Sequence, residues 1–320
     1  DFDTVDLYSA LKLTSTELNV ISFIGAGGKS TTMFRLANEM TQRGQRVITT
    51  TTTRIAADQI LSAPTYVSLD GPGLPIIDIG NALDAHRHCM VIGRPAAQRL
   101  IGDKKAGIEP VDVDALVSLA DELRVSNILI EADGSRMLPA KAPAGHEPAM
   151  PSSTTLVVSL IGMDAIGLPV AEPFMHRPET MRRLLNTSLT TPTDLAPAHV
   201  VQLLNHPQGG RRRVPEHARF VPLLNKTDTL PRLAHARLIA GQLARLGQSA
   251  LIGAVGGTDA PIRERWGRCV AVVLAAGGSE RFGKPKQLAL VDGEAMVLRA
   301  VRTALQSGVH QVLVVTGAYD

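Results

Sequence analysis

The sequence predicts an α/β protein in which a mostly parallel sheet is flanked by helices. Short apolar runs rich in β-branched residues alternate with segments of helical period, which is typical of repeated strand-helix-strand units. Of the 320 residues, 44% are hydrophobic and only 3% aromatic, so the core must consist of Val, Ile, Leu and Ala, as in layered parallel sheets. The same pattern restarts near residue 265 and predicts a second, shorter unit.

The individual elements follow from these patterns. Strands are expected near residues 19–24, 46–51, 88–92, 126–131, 154–160, 218–224 and 249–254, and helices over 29–43, 111–123, 178–186, 194–205 and 231–246. The segment from Asp133 to Pro151 also contains Pro139, Pro143 and Pro148. Proline breaks helices and sheet ladders, so we expect a long ordered loop or lid there.

The domain boundary is expected near residue 265. Arg263 to Arg268 has the composition of a charged linker, and a fresh strand, Cys269 to Leu274, follows it. The predicted domains are therefore residues 1–264 and 265–320, with Trp266 covering the junction. The chain begins with Asp1 rather than Met, so we expect it to have been cut from something longer.

Composition and charge exclude several classes of function. The net charge of +3, from 33 basic and 30 acidic residues, does not demand nucleic acid, and the run Arg211 to Arg213 is expected in a solvated loop. The distant Cys89 and Cys269 favour neither a disulfide framework nor a zinc site. No apolar stretch approaches the ~18 residues of a membrane span. We therefore expect a cytoplasmic protein without membrane or nucleic-acid partners.

A phosphate-binding loop is the strongest motif in the chain. It consists of Gly25, Ala26, Gly27, Gly28, Lys29, Ser30 and Thr31, and joins the first predicted strand to the first predicted helix. Such a turn directs backbone N–H groups and the helix N-terminus at an anion. An exposed Lys29 is expected to reach the β- and γ-phosphates, and a hydroxyl of Ser30 or Thr31 to bind Mg2+. A plain tight turn is the alternative.

The loop departs from the full P-loop pattern. That pattern has four residues between its first Gly and the Gly-Lys pair, whereas Gly25 and Gly28 enclose only two. The shorter form resembles the loop of Mur-type ligases. The predicted fold is thus a P-loop-type sheet with a modified loop.

Two further strand ends supply candidate metal ligands. Strand C-termini open onto the ligand crevice of such sheets, so the run Thr49 to Thr53 is expected beside the phosphates, with Thr51 or Thr52 at the metal. The strand at 126–131 delivers Glu131 and Asp133, two residues apart and hence on one face. One would hold Mg2+ while the other orients water, with Lys29 opposite. A capping role for Asp133 is the alternative.

The run Asn225, Lys226, Thr227, Asp228 is a candidate base-reading site. It follows an apolar strand and matches the Asn-Lys-x-Asp guanine signature of GTPases. A carboxylate pairs with the two donors of guanine, whereas adenine would leave it unpaired. GTP is therefore favoured over ATP. The alternative is that Asp228 caps the helix that begins near Pro231.

Several motifs together resemble the YqeC family. They are the loop Gly25 to Thr31, Thr49 to Thr53, Ile130 to Gly134, Lys141 to Pro148, Gly162 to Gly167 and Leu224 to Asp228. The resemblance spans roughly residues 5 to 257, with Arg54 where family members often have His. Those proteins are accessory to selenium-dependent molybdenum hydroxylases. The resemblance implies an NTP-using step in cofactor maturation, with a molybdopterin cofactor and a molybdenum hydroxylase as partners.

A second glycine-rich loop follows the strand at Val270. It contains Gly277, Gly278, Arg281 and Lys286, whose charges suit a triphosphate that loses pyrophosphate. It closely resembles the signature loop of MobA-like nucleotidyltransferases, particularly molybdenum cofactor cytidylyltransferases. This implies an incomplete Rossmann-like nucleotidyltransferase segment, using CTP when complete. A helix over Glu294 to Gln306 and a strand over Val309 to Val315 are expected to continue it.

The sequence is compatible with three functional hypotheses. The first is an NTPase or phosphotransferase, with Lys29 on the phosphates, Ser30 on Mg2+ and Asp133 as acidic partner. The second is a nucleotide-switched metallochaperone or scaffold for hydroxylase assembly. The third is a Mur-type ATP-dependent ligase. His146 is left open between proton transfer and a loop hydrogen bond.

Overall fold

We describe a computed structural model of the chain, in which two compact units are distinguished. The structure describes residues 5–71, 73–93, 104–189, 191–257, 260–277, 283, 285–307, 309 and 311–317. The first unit comprises Asp1–Leu243 and Ser249–Trp266, and the second Ala244–Gln248 and Gly267–Asp320. The first unit contains the large α/β sheet predicted from the sequence.

The regular elements up to Trp266 alternate between strands and helices. In chain order they are α1 Leu7–Ala10, β1 Asn19–Gly25, α2 Lys29–Gln42, β2 Val47–Thr51, β3 Ile55–Ala56, α3 Ala57–Ile60, β4 Tyr66–Ser68, α4 Ile76–His86, β5 His88–Ile92, β6 Lys104–Lys105, α5 Pro110–Ser118, α6 Ala120–Leu123, β7 Asn127–Glu131, β8 Leu156–Gly162, α7 Pro178–Leu184, α8 Pro197–Asn205, β9 Arg219–Asn225, α9 Leu230–Arg245, β10 Ala250–Gly253 and β11 Ile262–Trp266.

Nine of the described strands form one sheet in the order β11-β10-β9-β8-β1-β7-β2-β5-β4. The described pairs are parallel except for β10 with β11. The central β1 pairs with β7 on one side and β8 on the other. Parallel pairing brings the carboxyl ends of β1, β7, β8 and β9 to one edge, where ligands bind in open α/β sheets.

Alternate residues of β1 pack on opposite faces of the sheet. Phe23 is fully buried in the cluster that contains Met33 and Leu36 of α2. Ile24 belongs to the cluster on the other face, which includes Ile79 of α4. A fully buried side chain of this size contributes about 1.5–3 kcal/mol to stability. Packing on both faces of the sheet therefore fixes the orientation of β1 and of the loop that follows it.

The predicted strands and helices of the first unit are all present within a few residues. The predicted helix over 111–123 is divided into α5 and α6, which meet at Leu119. Residues 133–151 contain no helix or extended strand, as their prolines predict. The short elements α1, β3, α3, β4 and β6 and the helix α4 were not predicted.

The expectation of a charged linker from Arg263 is wrong. Residues up to Trp266 form β11, which pairs antiparallel with β10 and ends the sheet. Side chains alternate between buried and exposed positions along this edge strand: Ile262 is buried, whereas Arg263 is exposed. The exposed charged positions gave the strand the composition of a linker. The indole Nε1 of Trp266 donates to Glu264 at 2.9 Å.

The second unit is a small α/β segment. Strand β12, Val270–Ala275, pairs parallel with β15, Gln311–Thr316, and α10, Met296–Gln306, lies between them in sequence. A short antiparallel pair joins β13, Leu290–Val291, to β14, Glu294–Ala295. Across the described parts of the chain, no helix has the length and apolar character needed to cross a membrane.

Candidate functional site

The loop from Gly25 to Thr31 turns sharply between β1 and α2. Gly27 and Gly28 have φ of 84° and 119°, in the region that L side chains rarely adopt. A Cβ on Gly27 would lie 2.3 Å from the backbone N of Gly162, so the loop lies directly against the end of β8. Gly28 is the N-cap of the 14-residue helix α2, whose first N–H groups are available to an anion.

Lys29 is buried beneath this loop. Its residue is 3% exposed, and its Nζ donates to the Gly25 carbonyl at 2.9 Å. The same Nζ lies 3.3 Å from Oδ1 of Asp133 and 3.6 Å from Oε1 of Glu131. The expectation of an exposed lysine is therefore wrong, because the two carboxylates from the end of β7 hold the ammonium group inside the site.

Ser30 is the loop hydroxyl that joins the acidic group. Its Oγ donates to Oε2 of Glu131 at 2.6 Å and accepts from Nε2 of Gln59 at 2.9 Å. Thr31 is exposed. Thr51 is 1% exposed, and its hydroxyl donates to the Glu131 carbonyl at 3.0 Å. Of these predicted metal-binding hydroxyls, Ser30 is the one in contact with a carboxylate.

Asp133 lies between two buried lysines. Its Oδ1 faces Lys29, whereas its Oδ2 lies 3.1 Å from Nζ of Lys141 and accepts from the Gly25 backbone N at 2.9 Å. Oδ1 has no hydrogen bond among the described residues although it is buried. The contact with Gly25 means that Asp133 also positions the start of the phosphate loop.

Lys141 and Glu147 fix the proline-rich segment beside the loop. Nζ of Lys141 contacts Glu147 Oε2 and the Gly134 carbonyl, both at 2.7 Å, and Arg177 donates to Glu147 at 2.6 and 3.1 Å. Burial would raise the pKa of Glu147, but the charges and hydrogen bonds of Lys141 and Arg177 outweigh it and lower that pKa to about 2.

His176 lies next to this network and is 8% exposed. Burial, together with the positive charges of Arg177, Lys141 and Arg136, lowers the pKa of His176 to about 4. His176 is therefore neutral at neutral pH.

The run Arg211 to Arg213 is not a freely solvated loop. Arg212 donates to the carbonyls of Glu147 and Gly145 at 3.0 and 2.7 Å, and Arg213 donates to those of His146 and Gly145 at 2.7 and 3.1 Å. The guanidinium of Arg211 lies 3.9 Å from the ring centroid of Phe220. The sequence expectation failed because loop carbonyls distant in sequence accept from these cations. The His146 side chain is exposed.

The predicted base-reading run divides into separate environments. Asn225 is 2% exposed; its Nδ2 donates to the Gly27 carbonyl at 2.8 Å, and its Oδ1 accepts from the Val255 N at 2.9 Å. Lys226 Nζ lies 2.8 Å from Asp164 Oδ2. The Asp228 side chain is 54% exposed and lies 3.9 Å from Arg232. Asn225 thus braces the phosphate loop, whereas Asp228 is accessible at its edge.

The structure brings together Lys29, Ser30, Glu131 and Asp133, as the sequence predicted. Sequence reasoning assigned no role to Lys141, Arg177 or Gln59. Lys141 lies in the motif Lys141 to Pro148, which carries part of the family resemblance. A lysine followed at short spacing by prolines and Glu147 was the feature from which an ion pair could have been predicted. In the second predicted nucleotide loop, Gly277 and Lys286 are both exposed, whereas Gly278 and Arg281 lie outside the described residues.

Comparisons with known proteins agree with both resemblances. The family described as YqeC protein matches residues 21–179, and the MobA-like NTP transferase domain matches residues 271–320. A curated Escherichia coli (strain K12) protein, "Uncharacterized protein YqeC", is 33% identical over 207 residues, which cover 65% of this chain and 75% of that protein. The two family matches support a nucleotide-related role, and the second supports an enzyme of nucleotidyltransferase type.

Proposed function

The chain belongs to the YqeC family, and we propose that its loop at residues 25–31 binds the triphosphate of a nucleotide with Mg2+, GTP in preference to ATP. The nucleotide is then hydrolysed, or its terminal phosphoryl group is transferred. Following the family resemblance, we place this step in the maturation of the cofactor of a selenium-dependent molybdenum hydroxylase.

The observation that carries the proposal is the position of Lys29. Its Nζ lies at the N-terminus of α2, 3.3 Å from Asp133 and 3.6 Å from Glu131. A helix N-terminus with a lysine favours phosphate, and carboxylates beside it are what a magnesium-bound triphosphate requires. A plain tight turn would need neither a buried lysine nor two converging carboxylates.

The donor set fits Mg2+. Ser30 and Glu131, whose oxygens are 2.6 Å apart, would hold the ion, because Mg2+ prefers oxygen ligands and commonly takes one or two carboxylates plus substrate phosphates. The described residues contain no group of three or more His, Cys, Asp or Glu that could hold a metal by themselves, which agrees with a site completed by phosphates. When bound, Mg2+ neutralises charge on the phosphate oxygens.

Asp133 has a different role in this proposal from the metal-binding one that the sequence suggested. Its Oδ2 is already engaged by Gly25 and Lys141, and its Oδ1 points to Lys29. Asp133 therefore orients Lys29 and the loop, and Oδ1 is the atom that can accept a proton or a hydrogen bond from a molecule near the phosphate. Lys29 neutralises the terminal phosphates.

The second unit supports a separate activity. Its match to the MobA-like NTP transferase domain favours nucleotidyl transfer. Following the resemblance to molybdenum cofactor cytidylyltransferases, we propose CTP as the nucleotide and a molybdopterin acceptor for the complete domain. Gly277 and Lys286 would contribute to that site, together with Gly278 and Arg281. We propose two functional domains. The sequence predicted the division between residues 264 and 265, whereas β11 extends the first domain to Trp266.

Calorimetric titration tests the proposed nucleotide site. Mg2+ with non-hydrolysable GTP and ATP analogues should bind the unaltered chain, with omission of Mg2+ weakening both. Ser30→Ala should lose at least tenfold in Mg2+-dependent affinity, since about 1.4 kcal/mol corresponds to a factor of ten. Thr31→Ala, which removes the exposed neighbouring hydroxyl, is the matched control and should bind normally. Equal affinities for Ser30→Ala and Thr31→Ala would contradict the assignment of Mg2+.

A further inference from the structure

Two guanidinium groups converge on the loop from Gly145 to Glu147. Nη2 of Arg212 and Nη2 of Arg213 both donate to the Gly145 carbonyl, at 2.7 and 3.1 Å. Nε of Arg212 also donates to the Glu147 carbonyl at 3.0 Å, and Nη1 of Arg213 donates to the His146 carbonyl at 2.7 Å. Because one carbonyl oxygen accepts from both side chains, the two positive charges lie side by side.

These two charges have no carboxylate partner. Within the described parts of the chain, neither Arg212 nor Arg213 forms an ion pair, and the backbone carbonyls satisfy donors without neutralising charge. The Glu147 carboxylate is already engaged by Lys141 at 2.7 Å and by Arg177 at 2.6 Å. Like charges held together repel each other, so a bound anion would stabilise the arrangement.

Both guanidinium groups retain unused donors. Arginine has five N–H groups. Arg212 uses three of them, on the Gly145 and Glu147 carbonyls and on the Gln208 side chain, and Arg213 uses two. Arg213 is exposed and Arg212 is half-buried, so a ligand from solvent can reach them.

A second observation indicates excess positive charge along the same segment. His176 pairs with the backbone of Lys141, and burial is the main reason that the pKa of His176 falls to about 4. The charges of Arg177, Lys141 and Arg136 lower this pKa further, whereas Glu147 opposes them with a smaller effect. The cations around this segment therefore outweigh its carboxylate even without the two guanidinium groups.

Charge and geometry favour a phosphate group over a carboxylate as the ligand. A phosphomonoester carries about −1.5 to −2 charges at pH 7 and has three strong acceptor oxygens, which suit two adjacent guanidinium groups. A carboxylate has one charge and two oxygens, which a single guanidinium fork satisfies. A chain of contacts through Glu147, Lys141 and Asp133 separates Arg212 from Lys29 of the nucleotide loop.

We propose that Arg212 and Arg213 form a second anion site, which binds the phosphate group of a small phosphomonoester. The phosphate oxygens accept from the unused N–H groups of both side chains, while the Gly145 carbonyl holds the two guanidinium groups together. The site recognises one phosphate group, which a small molecule supplies. It lies outside the loop at residues 25–31 and goes beyond the proposed nucleotide function.

Proton–nitrogen NMR of the full chain tests the proposal with phenyl phosphate as the probe. Phenyl phosphate should saturably shift the backbone amide signals of Gly145 and His146 and the Nε–H signals of Arg212 and Arg213. Benzoate, the matched carboxylate, should bind at least about tenfold more weakly. Shifts confined to the loop at residues 25–31, or equal affinities for the two probes, would overturn the assignment.

A matched pair of variants tests the role of Arg213. Arg213→Gln removes one of the two charges and should weaken phenyl phosphate at least about tenfold. Arg87→Gln is the control and should bind normally. Arg87 is likewise exposed, has φ of 58° against 54° for Arg213, and donates to a backbone carbonyl, that of Gly44, at 2.8 Å. Unchanged affinity in Arg213→Gln, or an equal loss in Arg87→Gln, would refute the site.

Two further measurements cover the remaining outcomes. Should Arg213→Gln fail to fold, Arg213→Lys keeps the charge but loses the fork, and it should weaken phenyl phosphate by about threefold. Affinity equal to that of the unaltered chain would then contradict the proposal. A phosphoserine peptide that binds more than about tenfold tighter than phenyl phosphate would overturn the assignment to a small molecule.

Discussion

The side-chain amide of Asn225 donates to the carbonyl oxygen of Gly27 across 2.8 Å. Its oxygen accepts from the Val255 N at 2.9 Å, so the amide links the phosphate loop to the end of β10. A Cβ on Gly28 would lie 2.7 Å from the same Nδ2, which shows how closely Asn225 and the loop are packed. The first residue of the guanine-like motif therefore acts on the phosphate loop, and base choice must come from its accessible end.

Asn225→Ala should weaken GTP and ATP equally. The change removes two buried hydrogen bonds, and the groups left unpaired each cost about 1–3 kcal/mol, so the folded chain should also lose stability. Calorimetry with both nucleotides and urea unfolding would measure the two effects. A selective loss of GTP binding would show that Asn225 contacts the base rather than supporting the loop.

Asp228→Ala should instead remove the preference for GTP over ATP. The carboxylate is 54% exposed, and within the described parts of the chain its one ion pair is a 3.9 Å contact with Arg232, so its loss should leave stability nearly unchanged. In the variant, the two N–H donors of guanine lose the carboxylate that accepts from them, whereas adenine makes no such contact and loses none. Paired titrations of GTP and ATP test this, with Asp121→Ala, an exposed carboxylate on α6, as control. Equal affinities for GTP and ATP in the unaltered chain would contradict a base-reading role for Asp228.

Lys29→Met should abolish triphosphate binding and also destabilise the chain. The ammonium group compensates Asp133 and Glu131 inside the site, and removing one partner of a buried ion pair costs about 3–5 kcal/mol. Nucleotide affinity should fall at least tenfold, since a charge-assisted contact contributes about 1.5–3 kcal/mol.

Thermal unfolding with and without nucleotide separates the two effects of Lys29→Met. Nucleotide should raise the unfolding temperature of the unaltered chain and of Lys12→Met, which changes an exposed lysine, but not that of Lys29→Met. A folded Lys29→Met chain with unchanged nucleotide affinity would refute the central role of this lysine.

The sequence predicted the sheet because its strands are apolar and long enough to be recognised. Helix α4 was missed although Ile76, Ile79 and Leu83 have helical spacing, since the segment begins after Pro75 and lies beyond a run of prolines and glycines. Strand β11 was mistaken for a linker because its outward positions carry arginines, which is normal for an edge strand but resembles a solvated segment.

Only those residues of the candidate site that lie at the ends of strands and helices could be predicted from the sequence. Lys29, Ser30, Glu131 and Asp133 lie at strand or helix ends, where topology alone places them together. Lys141 and Arg177 lie in or just beyond irregular segments, whose paths depend on contacts such as those of Arg212 with the Gly145 and Glu147 carbonyls. Neither periodicity nor spacing encodes such long-range contacts.

The pH dependence of stability provides a test of the network around His176. Its pKa falls from 6.5 to about 4 on folding, so below pH 6.5 the unfolded chain takes up a proton that the folded chain does not. The contribution of His176 is therefore fully favourable above about pH 6.5 and declines as pH falls towards 4. The loss amounts to about 2–3 kcal/mol for a shift of this size.

His176→Gln should remove this part of the acid sensitivity. Urea unfolding at a series of pH values from 7.5 to 4 should give a shallower fall in the free energy of unfolding for His176→Gln than for the unaltered chain, whatever the offset between them at pH 7.5. His146→Gln, which changes an exposed histidine in the adjacent loop, should follow the unaltered chain. Glu147 retains its charge throughout this range because its pKa is about 2, so the ion pairs with Lys141 and Arg177 stay intact and the difference reports His176. Parallel curves for His176→Gln and the unaltered chain would show that His176 ionises as freely in the folded state as in the unfolded one.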